Sequence, residues 1–404
     1  MSRKIYIVVL LVISISLYTL ERSYMFSSDI VGVKSASITV IVIIMIAITS
    51  FAILNSRFAA FKDKLSKKFT TLITIIYLIS IIYTIVYPFS ARFIYGFIIL
   101  PLLVFYFTAN CTQYAQNDNI VIWAFAIVAI MLSYYFVDNY YNNVLYETDK
   151  QNNGAYAVLY LLPFMLCLKN KNLRIISIII ILIVVLFSLK RGGLIALLMG
   201  VLVYFYVYKI HINKHKSNIF SSLVVICLII GIYVLIKYFN DNVLEKSIFE
   251  RMEEAVDTGG SGRLDIYKNY FEFFKESTLL QMIIGHGWLG SERSSNVGTT
   301  CHNDILEVLI DFGIIGLIVY VSFISSIIKM NYNMIKNAHE YAPAMGCSTA
   351  IFLINSMVSH IIIYPWYLME FSLFWGFMVY SRRKSTYNKY YHNEKDNARL
   401  RNPS

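Results

Sequence analysis

Long apolar runs separated by short polar segments make up most of the chain. Twelve of these runs approach the roughly 17–25 residues that a membrane-spanning helix needs. They cover residues 5–20, 36–54, 69–87, 93–109, 120–137, 154–168, 175–189, 194–208, 219–238, 304–328, 343–362 and 366–380. The pattern predicts an all-α polytopic membrane protein, with about 12 transmembrane helices in a single integral membrane domain over residues 1–404.

Composition supports the same class. Hydrophobic residues make up 58% of the 404 residues and charged residues only 15%, whereas soluble domains have roughly 45–50% apolar residues. Such a chain has too little polar sequence for a disordered protein or an ordinary cytosolic enzyme. Five cysteines form no extracytoplasmic pair, since only Cys301 lies in a substantial polar loop, and a secreted disulfide scaffold is excluded as well.

The net charge of +11 reflects membrane topology rather than nucleic-acid binding. Lys and Arg fall mostly in short gaps between apolar runs and form no basic groove, so the expected partner is the lipid bilayer and no nucleic acid. With the N-terminus inside, the cytoplasmic segments hold most of the 35 Lys and Arg residues. Both termini are therefore expected in the cytoplasm, with a retained first span and a basic tail over residues 381–404.

One polar segment, residues 239–303 between spans 9 and 10, is much longer than the others. A Gly259-Gly260-Ser261-Gly262 break precedes charged and aromatic residues at helical spacing from Arg263 to Phe274. Long loops without regular structure are uncommon and usually functional. The segment is expected to form a small extracytoplasmic helical cap that acts as a lid or binding element.

The first candidate site is Lys190-Arg191-Gly192-Gly193, in the middle of the apolar stretch 175–208. As one helix this stretch would be about 51 Å long, whereas two halves of about 22 Å each are short for a core of about 30 Å. The two cations are therefore expected below the outer surface, facing a water-filled cavity. Glycines permit close backbone approach, and the Arg fork fits phosphate oxygens. The alternative is a hairpin turn with two snorkelling cations.

The second candidate site begins at His302, directly before the tenth span. Asp304, Glu307 and Asp311 share one helical face in an otherwise apolar segment, where carboxylates are expected to face a cavity or polar partners. A neutral histidine beside them is suited to accept a proton from a hydroxyl group. Alternatively, His302 is a capping or interfacial residue. No second His or Cys stands at ligand spacing, so no metal site is expected here.

Two further motifs lie in the long polar segment. Arg263 follows Gly262 and is suited to meet an anion held by Arg191; its alternative is a surface salt bridge to Asp265 or Glu254. Gly285-His286-Gly287 indicates a turn that lets the backbone approach the site. Near the last span, Tyr364-Pro365-Trp366-Tyr367 fits either an aromatic belt or a surface for sugar stacking.

Together these motifs resemble the O-antigen polymerase and O-antigen ligase superfamily. The resemblance covers roughly residues 175–320, whereas the first 150 residues match only as generic spans. The elements that carry it are Arg191-Gly192-Gly193, Gly262-Arg263, Gly285-His286-Gly287, His302-Asn303-Asp304 with Leu306-Glu307, and Phe312-Gly313-Ile314-Ile315-Gly316.

The resemblance implies a GT-C-like membrane glycosyltransferase that uses an undecaprenyl-diphosphate-linked oligosaccharide as donor and a second lipid-linked glycan as acceptor. Arg191 and Arg263 would bind the diphosphate, and His302 would act as the base or orient the acceptor. The neighbouring positions expected to contribute to substrate binding are Lys190, Gly192, Gly193, Asn303, Asp304, Glu307 and His286. Two arginines can neutralise a diphosphate leaving group, so no metal or other cofactor is expected.

The polymerase branch, which acts in lipopolysaccharide or other surface-polysaccharide biosynthesis, resembles the chain more than the ligase branch. A ligase would differ in its acceptor, the lipid A core, and no motif here identifies that sugar. A transporter or flippase of lipid-linked sugars is the alternative of another class, although mirrored polar positions in the N-terminal half are missing. The resemblance places the protein in the bacterial inner membrane, with the site on the periplasmic face, and suggests a chain-length regulator as partner.

Overall fold

In the computed structural model, the described residues are 1–24, 36–56, 62–86, 91–115, 117–140, 154–188, 190–212 and 263–401. Throughout these ranges the regular structure is helical, without a strand. The helices before the long polar segment are α1 (Arg3–Tyr24), α2 (Ala36–Leu54), α3 (Lys64–Val86), α4 (Ala91–Cys111), α5 (Asp118–Asn139), α6 (Gly154–Leu166), α7 (Lys171–Phe187) and α8 (Arg191–Ile212). Those that follow are α9 (Arg263–Glu276), α10 (Leu279–Ile284), α11 (Gly290–Ser294), α12 (Asp304–Lys336), α13 (Ala342–Val358) and α14 (Pro365–Arg401).

Each predicted apolar run overlaps one of these helices, except for 219–238, which lies outside the described residues. By length and composition, 6 of the described helices can cross a membrane. They lie at Arg3–Ser23, Lys64–Tyr83, Ile98–Ala115, Asp118–Asn139, Arg191–Ile210 and Asp304–Lys336. A helical, polytopic membrane protein is thus what the structure supports, and the total of twelve spans stays a prediction.

The two apolar segments predicted on either side of Lys190 are shorter than the observed helices. α7 has 17 residues and α8 has 22, and Arg191–Ile210 is long enough to cross a membrane. The prediction that both halves are too short is therefore wrong for α8. The predicted apolar run is shorter than α8 because the helix continues through Lys209 beyond the end of the run. Charged residues are common near the end of a membrane span.

Aromatic side chains hold the bundle together. Phe69 of α3 and Phe323 of α12 stack with ring centroids 5.2 Å apart, and Phe323 also contacts Trp375 of α14 at 5.5 Å. All three side chains are fully buried. Because their contacts join three helices, they fix the relative positions of the elements that carry the site.

Helix α12 contains a break at Gly313, where the backbone has φ 64° and ψ −167°. The carbonyls freed by the break find new donors, since the backbone N–H of His286 donates to Ile310 at 2.9 Å and that of Gly287 to Asp311 at 2.7 Å. A Cβ atom at position 313 would lie 2.4 Å from the carbonyl group of Ile283. Glycine is required here by its backbone angles and by the close approach of the two segments.

Candidate functional site

Four segments that are distant in sequence meet at one end of the bundle. They are the start of α8, the start of α9, the loop before α12 and the loop before α14. The charges of Lys190 and Arg263 both act on the imidazoles of His302 and His360, and Arg263 also acts on Tyr156 of α6. The structure thus brings the predicted residues Lys190, Arg263 and His302, from three of the sequence motifs, into one electrostatic environment.

His302 lies immediately outside α12 in a left-handed backbone conformation, φ 52°. The next residue, Asn303, caps the helix because its side-chain oxygen accepts hydrogen bonds from the N–H groups of Ile305 at 2.9 Å and Leu306 at 3.2 Å. The hydroxyl of Tyr267 in α9 donates to the His302 carbonyl at 3.4 Å. These contacts fix the backbone on both sides of the imidazole.

The pKa of His302 is lowered to about 4, first by burial and then by the positive charges of Arg263 and Lys190. Both effects disfavour the imidazolium form. At neutral pH the ring is therefore uncharged, and an unprotonated ring nitrogen can accept a proton. This is the state that a general base needs.

A second histidine, His360, packs directly on the first. Their ring centroids are 4.5 Å apart with an interplanar angle of 31°, and the other neighbour of His360 is Tyr364, stacked at 5.3 Å. The Nε2 atom of His360 lies 3.4 Å from the Thr300 hydroxyl, and its buried Nδ1 has no hydrogen-bond partner among the described residues. Burial, followed by electrostatic coupling to His302 and by the charges of Arg263 and Lys190, holds the pKa of His360 well below its usual value.

His360 falls inside the predicted span 343–362, so the sequence pattern did not single it out as a site residue. The structure ends this helix, α13, at Val358, so His360 belongs to the loop before α14. The available sequence signal was an isolated histidine in an apolar run followed by Pro365, because ionisable residues inside predicted spans commonly mark functional sites.

Asp304 ties the two histidine loops together. Its carboxylate accepts hydrogen bonds from the N–H groups of Ile361 at 2.9 Å and Ile362 at 3.2 Å, and from the Tyr320 hydroxyl at 3.1 Å. The side chain is completely buried. Because Asp304 follows His302 by two residues and its partners follow His360 directly, this carboxylate determines the spacing of the imidazoles.

The other two carboxylates bind the loop that precedes α12. Glu307 accepts hydrogen bonds from the N–H of Cys301 at 2.7 Å and from the hydroxyl of Ser291. Asp311 accepts from the N–H groups of Leu289 at 2.9 Å and Ser291 at 2.8 Å. Both carboxylates are fully buried, and the structure therefore gives Asp304, Glu307 and Asp311 polar protein partners.

His286 lies in the loop between α10 and α11. Its side chain contacts different residues from those that contact His302 and His360. Its Nε2 is 2.9 Å from the Ser277 hydroxyl, and its ring packs against Phe273 with centroids 4.7 Å apart. Burial lowers the pKa of His286. These contacts connect the end of α9 to the break in α12.

The start of α8 contributes the glycine-rich part of the site. Arg191 is the first residue of the helix, and Gly192 and Gly193 occupy its first turn, where backbone N–H groups have no intrahelical partner and the helix dipole is positive. A Cβ atom at Gly192 would lie 3.1 Å from Val358 and 3.2 Å from the Tyr156 hydroxyl. The small residue therefore allows α8 to start directly against α6 and α13.

An apolar cleft of about 470 Å³ lies next to Asn303. Its walls come from α9 and the first turns of α12, and its lining residues are Tyr267, Lys268, Phe271, Asn303, Ile305, Leu306 and Leu309. The Phe271 side chain is 52% exposed, so an apolar ligand can reach it. The cleft thus provides an apolar surface beside the histidine pair.

Part of the predicted site falls outside the described residues, namely Gly262, Glu254 and the segment 239–262. Within the described ranges, no group of three or more His, Cys, Asp or Glu residues could hold a metal ion.

The fold and this site define a polytopic helical membrane protein that gathers cations, imidazoles and a helix N-terminus at one end of its bundle. Residues 176–321 match the family model described as O-antigen ligase. This range contains Arg191, Arg263 and His302, and the predicted resemblance to the O-antigen ligase and polymerase superfamily is confirmed over it. The match supports glycosyl transfer from lipid-linked sugars without separating the two branches. Comparison with curated proteins gives no match.

Proposed function

We propose that the protein is a surface-polysaccharide polymerase. It transfers a growing glycan from undecaprenyl diphosphate to a sugar hydroxyl on another lipid-linked repeat unit. The observation that carries this proposal is the meeting of Lys190, Arg263 and a neutral His302 in one environment. A cationic group beside a proton acceptor is what transfer from an anionic diphosphate to a hydroxyl needs.

The donor diphosphate binds between Arg191, Arg263 and the N-terminus of α8. Guanidinium groups bind phosphate oxygens through paired hydrogen bonds, and first-turn N–H groups at Gly192 and Gly193 favour an anion. Negative charge grows on the diphosphate as its bond to the anomeric carbon breaks. The cations therefore stabilise the transition state more than the ground state, which accelerates the reaction.

His302 acts on the acceptor. Its unprotonated ring nitrogen takes the proton of the acceptor hydroxyl while that oxygen forms a bond to the anomeric carbon. The electron pair of the breaking bond stays on the diphosphate, which leaves as undecaprenyl diphosphate. His360 packs on the ring at 4.5 Å and, with Asn303 as helix cap, holds the base in place.

The apolar cleft beside Asn303 takes the isoprenoid segment next to the diphosphate of one lipid-linked substrate. Its aromatic and aliphatic lining, including Phe271 and Leu309, matches a branched hydrocarbon chain. The cleft also lies beside the cationic group that would hold the phosphates. The isoprenoid would thus be bound at the apolar side and the sugars at the polar side.

We infer that the site lies on the periplasmic face of the inner membrane. The start of α3, which carries Lys64, Lys67 and Lys68, lies at the opposite end of the bundle from Tyr83, whose hydroxyl donates to the Gly285 carbonyl. Since cytoplasmic segments carry the excess of Lys and Arg, the basic end is assigned to the cytoplasm.

An O-antigen ligase is the second candidate, favoured by the description of the matching family. The two functions are separated by purified protein in nanodiscs with one lipid-diphosphate-linked repeat unit, the products being resolved by glycan length. A ladder of products without any other acceptor supports the polymerase. Transfer that requires added lipid A core supports the ligase, and donor binding without transfer to either acceptor would favour a transporter.

A further inference from the structure

A second cavity opens between the beginning of α3, the second half of α12 and α14. Its volume is about 680 Å³, within the roughly 300–1,000 Å³ typical of small-molecule sites. Its lining includes the cationic residues Lys62, Lys64, Lys67, Lys68, Lys329 and Arg382, and we refer to it as the basic cavity. The reaction described above uses none of these side chains.

The basic cavity lies at the end of the bundle opposite to the candidate site. Along α3, Lys68 precedes Tyr83 by 15 residues, which is about 22 Å of helix, and the Tyr83 hydroxyl donates to the Gly285 carbonyl near the site. Stacking of Phe69 on Phe323 packs the two helices together between these levels. The distance between Lys68 and Tyr83 is most of the thickness of a hydrocarbon core. The basic cavity therefore faces the leaflet opposite to that of the candidate site.

Charge in the cavity is strongly unbalanced. Among the described residues that line it, Asp63 provides the one carboxylate, and this group is already engaged by Arg382 and by the N–H of Leu65 at 2.9 Å. Several ammonium groups around one concave surface repel one another and raise the local concentration of anions. An anionic group in the cavity would relieve this repulsion.

Hydroxyl groups of α12 line another wall. Ser325 donates to the Val321 carbonyl at 2.8 Å and Ser326 to the Phe323 carbonyl at 2.7 Å. Because each hydroxyl hydrogen is engaged in these bonds, the serine oxygens are left as acceptors. They are suited to a ligand that carries hydroxyl donors beside its negative charge.

Apolar side chains complete the surroundings of the cavity. Leu65 and Met330 contribute to its lining, and Val321 and Ile328 of α12 are each 47% exposed on the surface of the bundle. A helix that exposes such residues in a membrane protein faces hydrocarbon chains. The cavity therefore joins a cationic recess to a lipid-facing surface.

We propose that the basic cavity binds the headgroup of an anionic phospholipid of the phosphatidylglycerol type. The lysines and Arg382 bind the phosphate, Ser325 and Ser326 accept hydrogen bonds from the glycerol hydroxyls, and the acyl chains lie along α12. Since Lys-rich segments mark the cytoplasmic face, the lipid comes from the inner leaflet. The binding requires no glycan substrate and is separate from the transfer reaction.

The test uses full-length protein in detergent, equilibrated with equal amounts of phosphatidylglycerol and phosphatidylcholine, and counts the bound lipids by native mass spectrometry. The variant Lys67→Gln/Lys68→Gln should lower the preference for phosphatidylglycerol by about tenfold or more, given the attraction of each surface lysine to anionic lipid. The matched control is Lys169→Gln/Lys171→Gln, which changes one exposed lysine before α7 and one at its first residue, at the same end of the bundle as the basic cavity. It should keep the preference of the unchanged protein.

An equal loss of the preference for phosphatidylglycerol in both variants would overturn the site, because general surface charge would then explain the binding. An unchanged preference in both variants would also overturn it, because the exchanged lysines of the basic cavity would then not bind the lipid. A second arm adds soluble glycerol 3-phosphate at the concentration of the lipid. Phosphatidylglycerol should stay bound, since its acyl chains add contacts along α12. Displacement by the soluble compound would contradict the lipid assignment and indicate a small phosphate ligand instead.

Discussion

The imidazoles of His302 and His360 pack against each other with ring centroids 4.5 Å apart. The carboxylate of Asp304 sets this spacing, because it stands two residues after His302 and accepts hydrogen bonds from the N–H groups of Ile361 and Ile362. Both rings also experience the positive charges of Arg263 and Lys190. A proton on either ring is therefore disfavoured, and the pair stays neutral at physiological pH.

The pH dependence of turnover should report this environment. Since the pKa of His302 is lowered to about 4 by burial, Arg263 and Lys190, the base stays unprotonated well below its usual titration range. We expect kcat/KM to be constant from neutral pH to about pH 5 and to fall as the pH approaches 4.

Lys190→Gln removes one of the charges that oppose protonation, so the pKa of His302 rises and the acidic limb of the profile moves to higher pH. Lys169→Gln is the control, because this residue is exposed at the end of the bundle opposite to the candidate site. It should leave the acidic limb in place. If the acidic limb of the Lys190→Gln profile stayed at the original pH, this result would contradict the assignment of His302 as the titrating base.

His360 is expected to act mainly through ring packing, because its hydrogen-bond contact to Thr300 is long at 3.4 Å. His360→Phe keeps an aromatic ring of similar shape and should retain most of the activity. His360→Ala leaves space beside His302 and should lower kcat by about tenfold or more, since small displacements of a catalytic group reduce rates strongly. Steady-state kinetics checks both variants, and an equally severe loss in His360→Phe would show that the nitrogens are required.

His302→Asn tests the base without disturbing the backbone. Asn tolerates the left-handed conformation that His302 adopts but has no imidazole to accept a proton. Chain extension should be abolished while affinity for the lipid-linked donor stays within about threefold, because the charges that bind the diphosphate are retained. Weakened donor binding with normal turnover would instead make His302 a binding residue.

Arg191→Lys keeps the charge at the start of α8 but loses the planar fork. Turnover should fall by about tenfold to 100-fold, since removal of one oriented donor commonly has effects near the upper end of this range. Arg174→Lys is the matched control, as Arg174 binds the Tyr204 hydroxyl at the other end of the bundle. Normal turnover in Arg191→Lys would restrict Arg191 to a topological role.

Gly313→Ala should destabilise the fold far more than Gly298→Ala. Both glycines have positive φ angles, 64° and 69°, so each substitution carries a backbone penalty of about 1–3 kcal/mol. At Gly313 the new Cβ would also lie 2.4 Å from the backbone of Ile283, whereas nothing lies within 4 Å at Gly298. Thermal unfolding in detergent compares the two, and similar melting temperatures would contradict the close contact at the break in α12.

Hydrophobic runs predicted the helices well, because spanning segments must satisfy their backbone groups internally and are apolar along most of their length. The motifs also selected residues that the structure places in one environment, such as Lys190, Arg263 and His302. Sequence spacing gave no sign of the break at Gly313 or of the way Asp304 connects two loops. Those features depend on long-range backbone contacts, and His360 was missed because the apolar run extended past the end of its helix.

The proposed transfer releases the lipid diphosphate as a new glycosidic bond forms. The most direct measurement mixes purified protein with a lipid-diphosphate-linked repeat unit and quantifies both products in the same samples. We expect one undecaprenyl diphosphate to be released for each new glycosidic bond, and neither product to rise above background with His302→Asn. Lipid diphosphate released without glycan extension, or undiminished extension by the His302→Asn variant, would contradict it.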